Sequence, residues 1–233
     1  MAETATRTGG DDKRPRPSQE RRKEIFEAAA RIFAEKGYAA TSIQDVADAV
    51  GILKGSLYYY IDSKEDLLFG VIQQAHEGGL ANLEQLDKIE GDALVKLRYA
   101  IEAHLLSNIK NIVKIGVFFQ DFRSLSGERH DYIVKERDLY DQRLRELIRE
   151  GQEQGVITRD IDPKIASLGI LGMLNWVYQW YTPEGPATPE ELASTFADLI
   201  LGGLAVDEGR PAKRRDIGKL PEGVPLPARQ DPV

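Results

Sequence analysis

Residues 54–67 read KGSLYYYIDSKEDL, and its three consecutive tyrosines do not fit a single buried face. One buried tyrosine is ordinary, because the ring adds apolar area and its hydroxyl needs only one partner. At about 100° per residue, Tyr58, Tyr59 and Tyr60 fan around most of a helix, so at least one points at solvent or at a bound partner.

The flanking residues supply the frame. Upstream, the pattern predicts a helix from Ser18 to Lys36, with Ile25, Ala29, Ile32 and Phe33 on one face and Gly37 as its stop. Ser42 with Asp45 three residues on forms a capping box for a short second helix, whose inner face is Ile43, Val46, Ala47 and Val50. Gly51 ends it. After a tight turn a third short helix carries KGSLYYY, and Ser63 with Asp66 caps a fourth beginning KEDLL. Two short helices joined by a tight glycine turn fit a helix-turn-helix unit whose second helix enters the DNA major groove. In that arrangement Leu57 and Tyr60 face inward, while Lys54, Ser56 and Tyr59 reach for phosphates or base edges. The amide-rich helix starts at Thr41 and Ser42, and at Ser63 and Lys64, suit phosphate oxygens.

Charge agrees with this in its distribution, although not in its total. The chain has 233 residues, 42% apolar composition and a net charge of -7, which by itself disfavours a phosphate-rich partner. Between residues 13 and 64, however, ten Lys and Arg stand against seven Asp and Glu, so a mildly basic front end precedes an acidic body. The chain lacks cysteine, which excludes disulfides and thiolate chemistry and fits a reducing interior. No apolar signal run and no stretch of about 20 apolar residues is present, so a cytoplasmic protein without a membrane partner is expected.

Residues 1–17 and 207–233 read as mobile tails rich in Gly, Pro and charge, and everything between them has helical period. The expected class is all-α. Longer helices are predicted over 64–87, 92–109, 112–124, 128–153, 162–181 and 188–205. The 162–181 segment is apolar almost all round, which implies burial against its own core and a second subunit.

The stretch Ile25 to Leu68 contains F33-x3-G37-Y38-x2-T41-S42-I43-x2-V46-A47-x3-G51, then K54-G55-S56-L57-Y58-Y59-Y60 and K64-E65-x-L67. In this spacing it resembles the DNA-binding domain of the TetR family of bacterial repressors. Leu53 and Ile61 depart from the family pattern, which usually has Ser or Thr at the first position and Phe at the second. The resemblance implies a helix-turn-helix domain over 18–63 and a ligand-binding and dimerisation domain over 64–206. It also implies a homodimer on a double-stranded operator palindrome, paired through its last two long helices. DNA-binding residues by this reading are Thr41, Ser42, Lys54, Gly55, Ser56, Tyr58, Tyr59 and Lys64.

The segments HLLSNIK, VFFQDFR, SGERHDYIVKERDLYDQRLRELI and WYTPEGPATPEEL are similar to family members that respond to acyl-CoA thioesters in fatty-acid and sterol breakdown. That similarity implies a small-molecule effector, an acyl-CoA, and no bound cofactor. Arg123, Arg129, Arg137 and Lys164 are candidates for its phosphates. Aromatic and polar residues in apolar surroundings nominate a pocket. His104 and Asn108 sit one turn apart, as do Trp176 and Trp180; Phe118, Phe119 and Phe122 share a face, and Asn175 interrupts an apolar run. With Arg123, Tyr140 and Gln179 these make the candidate ligand set. His104 and Asn108 lack a third partner for a metal. The rival readings are a multidrug-type sensor of the same fold, a helical enzyme and a protein-binding scaffold. Against an enzyme stand three histidines in all, no phosphate-cradling glycine motif and no G-x-S-x-G elbow; Asp121 or Glu102 beside His104 is the nearest to an acid–base pair.

Overall fold

The computed structural model describes residues 19–206, so both expected tails lie outside the described residues. Within them the chain is helical, with one isolated bridge between Ile157 and Ala205 and no strand. The elements are α1 (Gln19–Lys36), α2 (Ile43–Ala49), α3 (Lys54–Leu57), α4 (Lys64–Gln85), α5 (Ala93–Lys110) and α6 (Ile112–Asp121). They continue with α7 (Gly127–Gln154), α8 (Pro163–Asn175), α9 (Val177–Trp180) and α10 (Pro189–Leu204).

The N-terminal helices follow their local signals. Ser42 and Asp45 form the reciprocal capping box at α2, and Ser63 accepts the Asp66 N–H at the start of α4. At Gly51 the backbone takes φ +67°, which reverses the chain between α2 and α3 at little cost for glycine. The third helix is shorter than its sequence suggests. It ends at Leu57, and the three tyrosines lie in the turn that follows, where Tyr59 N–H donates to Ser56 O at 3.2 Å and Tyr60 N–H to Leu57 O at 2.9 Å. A helix of four residues without a side-chain cap at Leu53 cannot sustain itself by local bonding, so tertiary packing of Leu57 and Ile61 decides where it stops.

Two apolar cores result. One joins α1 to α4 with Val117 and Phe118 of α6 and Leu125 and Ile133 beyond it. At Gly70 an added Cβ would lie 2.5 Å from the Phe26 ring, so α4 meets α1 closely there. The other is built by α5, α7, α8 and α10, with α10 lying chiefly on α5.

The segment expected as one helix over 162–181 is broken at Trp176 into α8 and α9. Asn108 of α5 donates to the carbonyl of Leu174 at 3.3 Å, and a side chain inserted into the helical ladder is a recognised cause of a break. Within one chain, α8 buries only one side of its apolar surface. Ile165, Leu168, Gly169, Gly172, Met173 and Trp176 form an exposed stripe along α8, with Trp176 59% exposed.

Candidate functional site

The helix-turn-helix presents one side to solvent. Lys54, Gly55 and Ser56 are exposed on α3, and Tyr58 and Tyr59 follow at 48% and 37% exposure. Tyr60 is half-buried against the first core and meets Tyr59 edge-to-face at 5.3 Å. Leu53 is among the most exposed apolar side chains, at 79%. Ser42 is exposed, but its hydroxyl is held by Asp45. The Lys36 ammonium, and then the Ser42 hydroxyl and N–H, hold the Asp45 carboxyl well below the usual carboxylate range. Thr41 does not join the exposed set: it is buried and its hydroxyl donates to Gly37 O at 2.9 Å. Lys64 bridges inward, donating to Ala39 O at 3.2 Å with its ammonium 4.4 Å from the Tyr38 ring centre.

A cavity of about 460 Å³ opens in the larger helical region. Of the residues nominated from the sequence, His104, Asn108, Phe118, Phe119, Tyr140 and Asn175 line it. Phe122, Arg123, Trp176 and Gln179 do not. A 3₁₀ turn over Phe122–Ser124 carries the exposed Arg123 away from the cavity, and the break at Trp176 turns Trp176 and Gln179 to the surface. Phe122 instead stacks on His130 at 4.8 Å.

Sequence reasoning did not nominate His76, Ser107, Glu136 or Arg145 for the lining. Nothing in their local pattern marks them, since each looks like one more polar residue on a long helix. Arg137 is both exposed and lining, so it stands at the mouth. Its guanidinium lies 5.6 Å from the Phe118 and Phe122 ring centres and has no carboxylate partner among the described residues. Arg145, by contrast, is paired with Asp141.

The inner end is polar and enclosed. His104 Nε2 lies 2.9 Å from Asn175 Oδ1, which Asn108 Nδ2 also approaches at 3.3 Å. Burial is the main influence on the His104 ring and lowers its pKa to about 4, so it is neutral near pH 7. Burial likewise pushes the Tyr140 phenol up, and the two rings tilt together at 5.0 Å. His76 Nδ1 is 3.6 Å from Glu136 Oε2, beyond hydrogen-bond reach. Among the described residues no group of three His, Asp or Glu is arranged to hold a metal ion.

Two helices connect the two regions: α4 places Leu67, Leu68, Val71 and Ile72 in the first core and Ala75, His76, Gly79 and Leu80 in the cavity wall, and α6 packs across both. Along α6, Ile115, Phe118 and Phe119 face the cavity, while Lys114 pairs with Glu27 of α1 at 2.6 Å and Asp121 accepts the Tyr38 N–H at 3.3 Å. Phe118 belongs to the first core as well as to the cavity wall. Nearby, Arg129 of α7 is bound to Asp66 at the start of α4.

Comparison with known proteins places these regions. Residues 25–71 match the family model described as bacterial regulatory proteins, tetR family, and residues 90–204 match that of the tetracyclin repressor-like C-terminal domain. The HTH-type transcriptional repressor KstR2 of Rhodococcus jostii (strain RHA1) is 31% identical over 199 residues, covering 79% of this chain and 91% of its own. The regulator PfmR from Thermus thermophilus superposes with a TM-score of 0.71 at 39% identity, over 77% of this chain and 97% of its own. AibR, solved with isovaleryl coenzyme A and operator DNA, does so with a TM-score of 0.69 at 28% identity, over 77% and 97%. Among the described residues no helix is long and apolar enough to cross a membrane. With an exposed helix-turn-helix and exposed tyrosines at one end, a polar-tipped cavity at the other and α6 between them, the chain belongs to the TetR family of transcriptional regulators and is not an enzyme.

Proposed function

We propose that the protein is a homodimeric repressor of the cytoplasm that holds an operator palindrome and releases it when an acyl-CoA thioester fills the cavity. The observation that carries this is α6, whose aromatic face forms cavity wall while its ends are bound to the helix-turn-helix region through Lys114 and Asp121. A molecule seated against Phe118 and Phe119 displaces α6, and with it the reading head. In the DNA-bound state two heads stand about 34 Å apart, one turn of the duplex. The effector favours another separation, and its differential affinity for the two states sets how far the equilibrium moves.

Three features support the finer parts of the reading. The unpaired Arg137 at the mouth suits a CoA phosphate, and the apolar wall suits an acyl chain. The α8 stripe, in which a Cβ at Gly169 or Gly172 would meet nothing within 4 Å, leaves room for another helix to approach closely. Among relatives, KstR2 is named a repressor and AibR was solved with an acyl-CoA and operator DNA.

The test is DNA selection with the full chain, followed by fluorescence anisotropy on the selected duplex. Decanoyl-CoA is expected to weaken binding about tenfold or more, equivalent to about 1.4 kcal/mol. Decanoic acid, which lacks the CoA phosphates, does less. A response to a drug-like aromatic cation with none to decanoyl-CoA assigns the cavity to multidrug-type sensing instead.

A further inference from the structure

The hydrogen bonds at the inner end of the cavity fix a tautomer. The Leu174 carbonyl can only accept, so the Asn108 atom at 3.3 Å from it is the amide nitrogen. That nitrogen is also 3.3 Å from the Asn175 side chain, which therefore presents its oxygen. The same oxygen lies 2.9 Å from His104 Nε2, so the imidazole proton is on Nε2. Nδ1 is then a bare lone pair. It is closed off from solvent and has no hydrogen-bond partner among the described residues.

A second acceptor shares its condition. Glu136 Oε2 is likewise enclosed without a hydrogen bond, with His76 Nδ1 3.6 Å away. Both residues line the cavity, and both atoms can only accept. Buried acceptors in native proteins are nearly always matched, so the unmatched Nδ1 of a cavity-lining His104 marks a missing donor. An effector carrying a carbonyl or carboxylate there sets lone pair against lone pair, whereas a hydroxyl or N–H supplies what is lacking.

Resting on the reading of this cavity as the effector site, we propose that His104 is a specificity-determining residue whose Nδ1 accepts a hydrogen bond from a hydroxyl or N–H on the apolar body of the effector. The effector is thus a hydroxylated or N–H-bearing apolar group, and its plain or oxo counterpart is the weaker ligand. Because Nδ1 is enclosed, the donor reaches it through a side-chain adjustment of the kind common on binding.

The experiment uses the full chain with 15N-labelled histidine and two matched pairs of probes, cyclohexanol against cyclohexanone and 10-hydroxydecanoyl-CoA against decanoyl-CoA. Affinities come from calorimetry, and the Nδ1 resonance of His104 reports on its hydrogen bond. The hydroxyl member of a pair is expected to bind about fivefold more tightly, the ratio of one net hydrogen bond, and to move the Nδ1 resonance upfield. His104→Phe keeps a ring and removes the acceptor, so the preference disappears; if that variant does not fold, the wild-type resonance decides. Equal affinities with an unmoved Nδ1 resonance overturn the proposal, as does failure of all four probes to bind. If neither ester binds while cyclohexanol outbinds cyclohexanone and moves Nδ1, this inference stands and the acyl-CoA reading falls. If both esters bind alike and release DNA, the reverse holds.

Discussion

The ammonium of Lys114, on α6, lies 2.6 Å from the Glu27 carboxylate on α1, with the lysine side chain only 10% exposed and the glutamate 40%. Removing the glutamate leaves a largely enclosed charge without its counterion. Glu27→Ala is expected to cost about 2 kcal/mol, less than for a fully buried pair because one partner is half in water. Lys114→Met, which swaps the charge for an apolar chain of similar length, should be close to neutral in a melting experiment. Its effect belongs in the coupling: effector still binds, but the affinity it costs the operator is reduced. Full release by effector in Lys114→Met would show that α6 does not act through this pair.

At the reading head the tyrosines separate into surface and core. Tyr59→Phe keeps the ring and is expected to weaken operator binding by about 1 kcal/mol through loss of a phosphate hydrogen bond, with the melting temperature unchanged. Tyr60→Ala opens space beside Leu57 and is expected to destabilise the fold by about 2 kcal/mol, below the range for a fully buried aromatic. If Tyr59→Ala unfolds the domain while Tyr60→Ala does not, the two roles are exchanged.

Lys64 has two tasks in this structure, since its ammonium ties the Ala39 carbonyl and covers the Tyr38 ring. Lys64→Ala should therefore cost about 1 kcal/mol of stability and, separately, weaken binding to every DNA sequence alike. The slope of log affinity against log salt is expected to fall by about one unit, the release of one counterion. An unchanged slope would confine Lys64 to holding the loop.

Acid should unfold the protein partly through His104. Its pKa is about 4 in the fold and 6.5 in the free residue, so the unfolded chain binds the extra proton between those values. Stability is complete above pH 6.5, is lost as pH falls toward 4, and levels off below. The loss is up to about 3 kcal/mol from this group. Denaturant melts across that window should flatten in a His104→Gln variant, and an equal slope in both would place the titration elsewhere.

The exposed α8 stripe gives a simple dimer test. Trp176→Glu puts a charge at a position already exposed in the single chain, so the monomer fold is kept while association is lost. Sedimentation velocity should show a dimer for the wild type and a monomer for the variant. A wild-type monomer at micromolar concentration would remove the dimer from the mechanism.

Much of the N-terminal region was legible because its signals are local. The Ser42–Asp45 box, the Ser63 cap and the reversal at Gly51 depend on neighbours within a few residues. The end of α3 was not legible, since the packing of Leu57 and Ile61 into a core shared with α1 and α6 decides it. The break at Trp176 was hidden for the same kind of reason: its partner, Asn108, is 66 residues away from Leu174. Within this segment, that break separates the nominated residue that lines the cavity from those that do not. Asn175 precedes it and faces His104, while Trp176 and Gln179 follow it and face outward. Polar groups stranded among apolar ones, such as His104 and Asn108, could be found from sequence; the helix rotations that bring in His76 and Arg145 could not.

Leu168 and Gly172 belong both to the cavity wall and to the exposed stripe of α8. In a pair of subunits joined across that stripe, the boundary of each cavity is set in part by its neighbour. Filling one then alters the free energy of filling the other, and by linkage the two occupancies form a single thermodynamic system. For such a pair the binding isotherm is expected to depart from a hyperbola, with a Hill coefficient different from one and a stoichiometry of release counted per dimer.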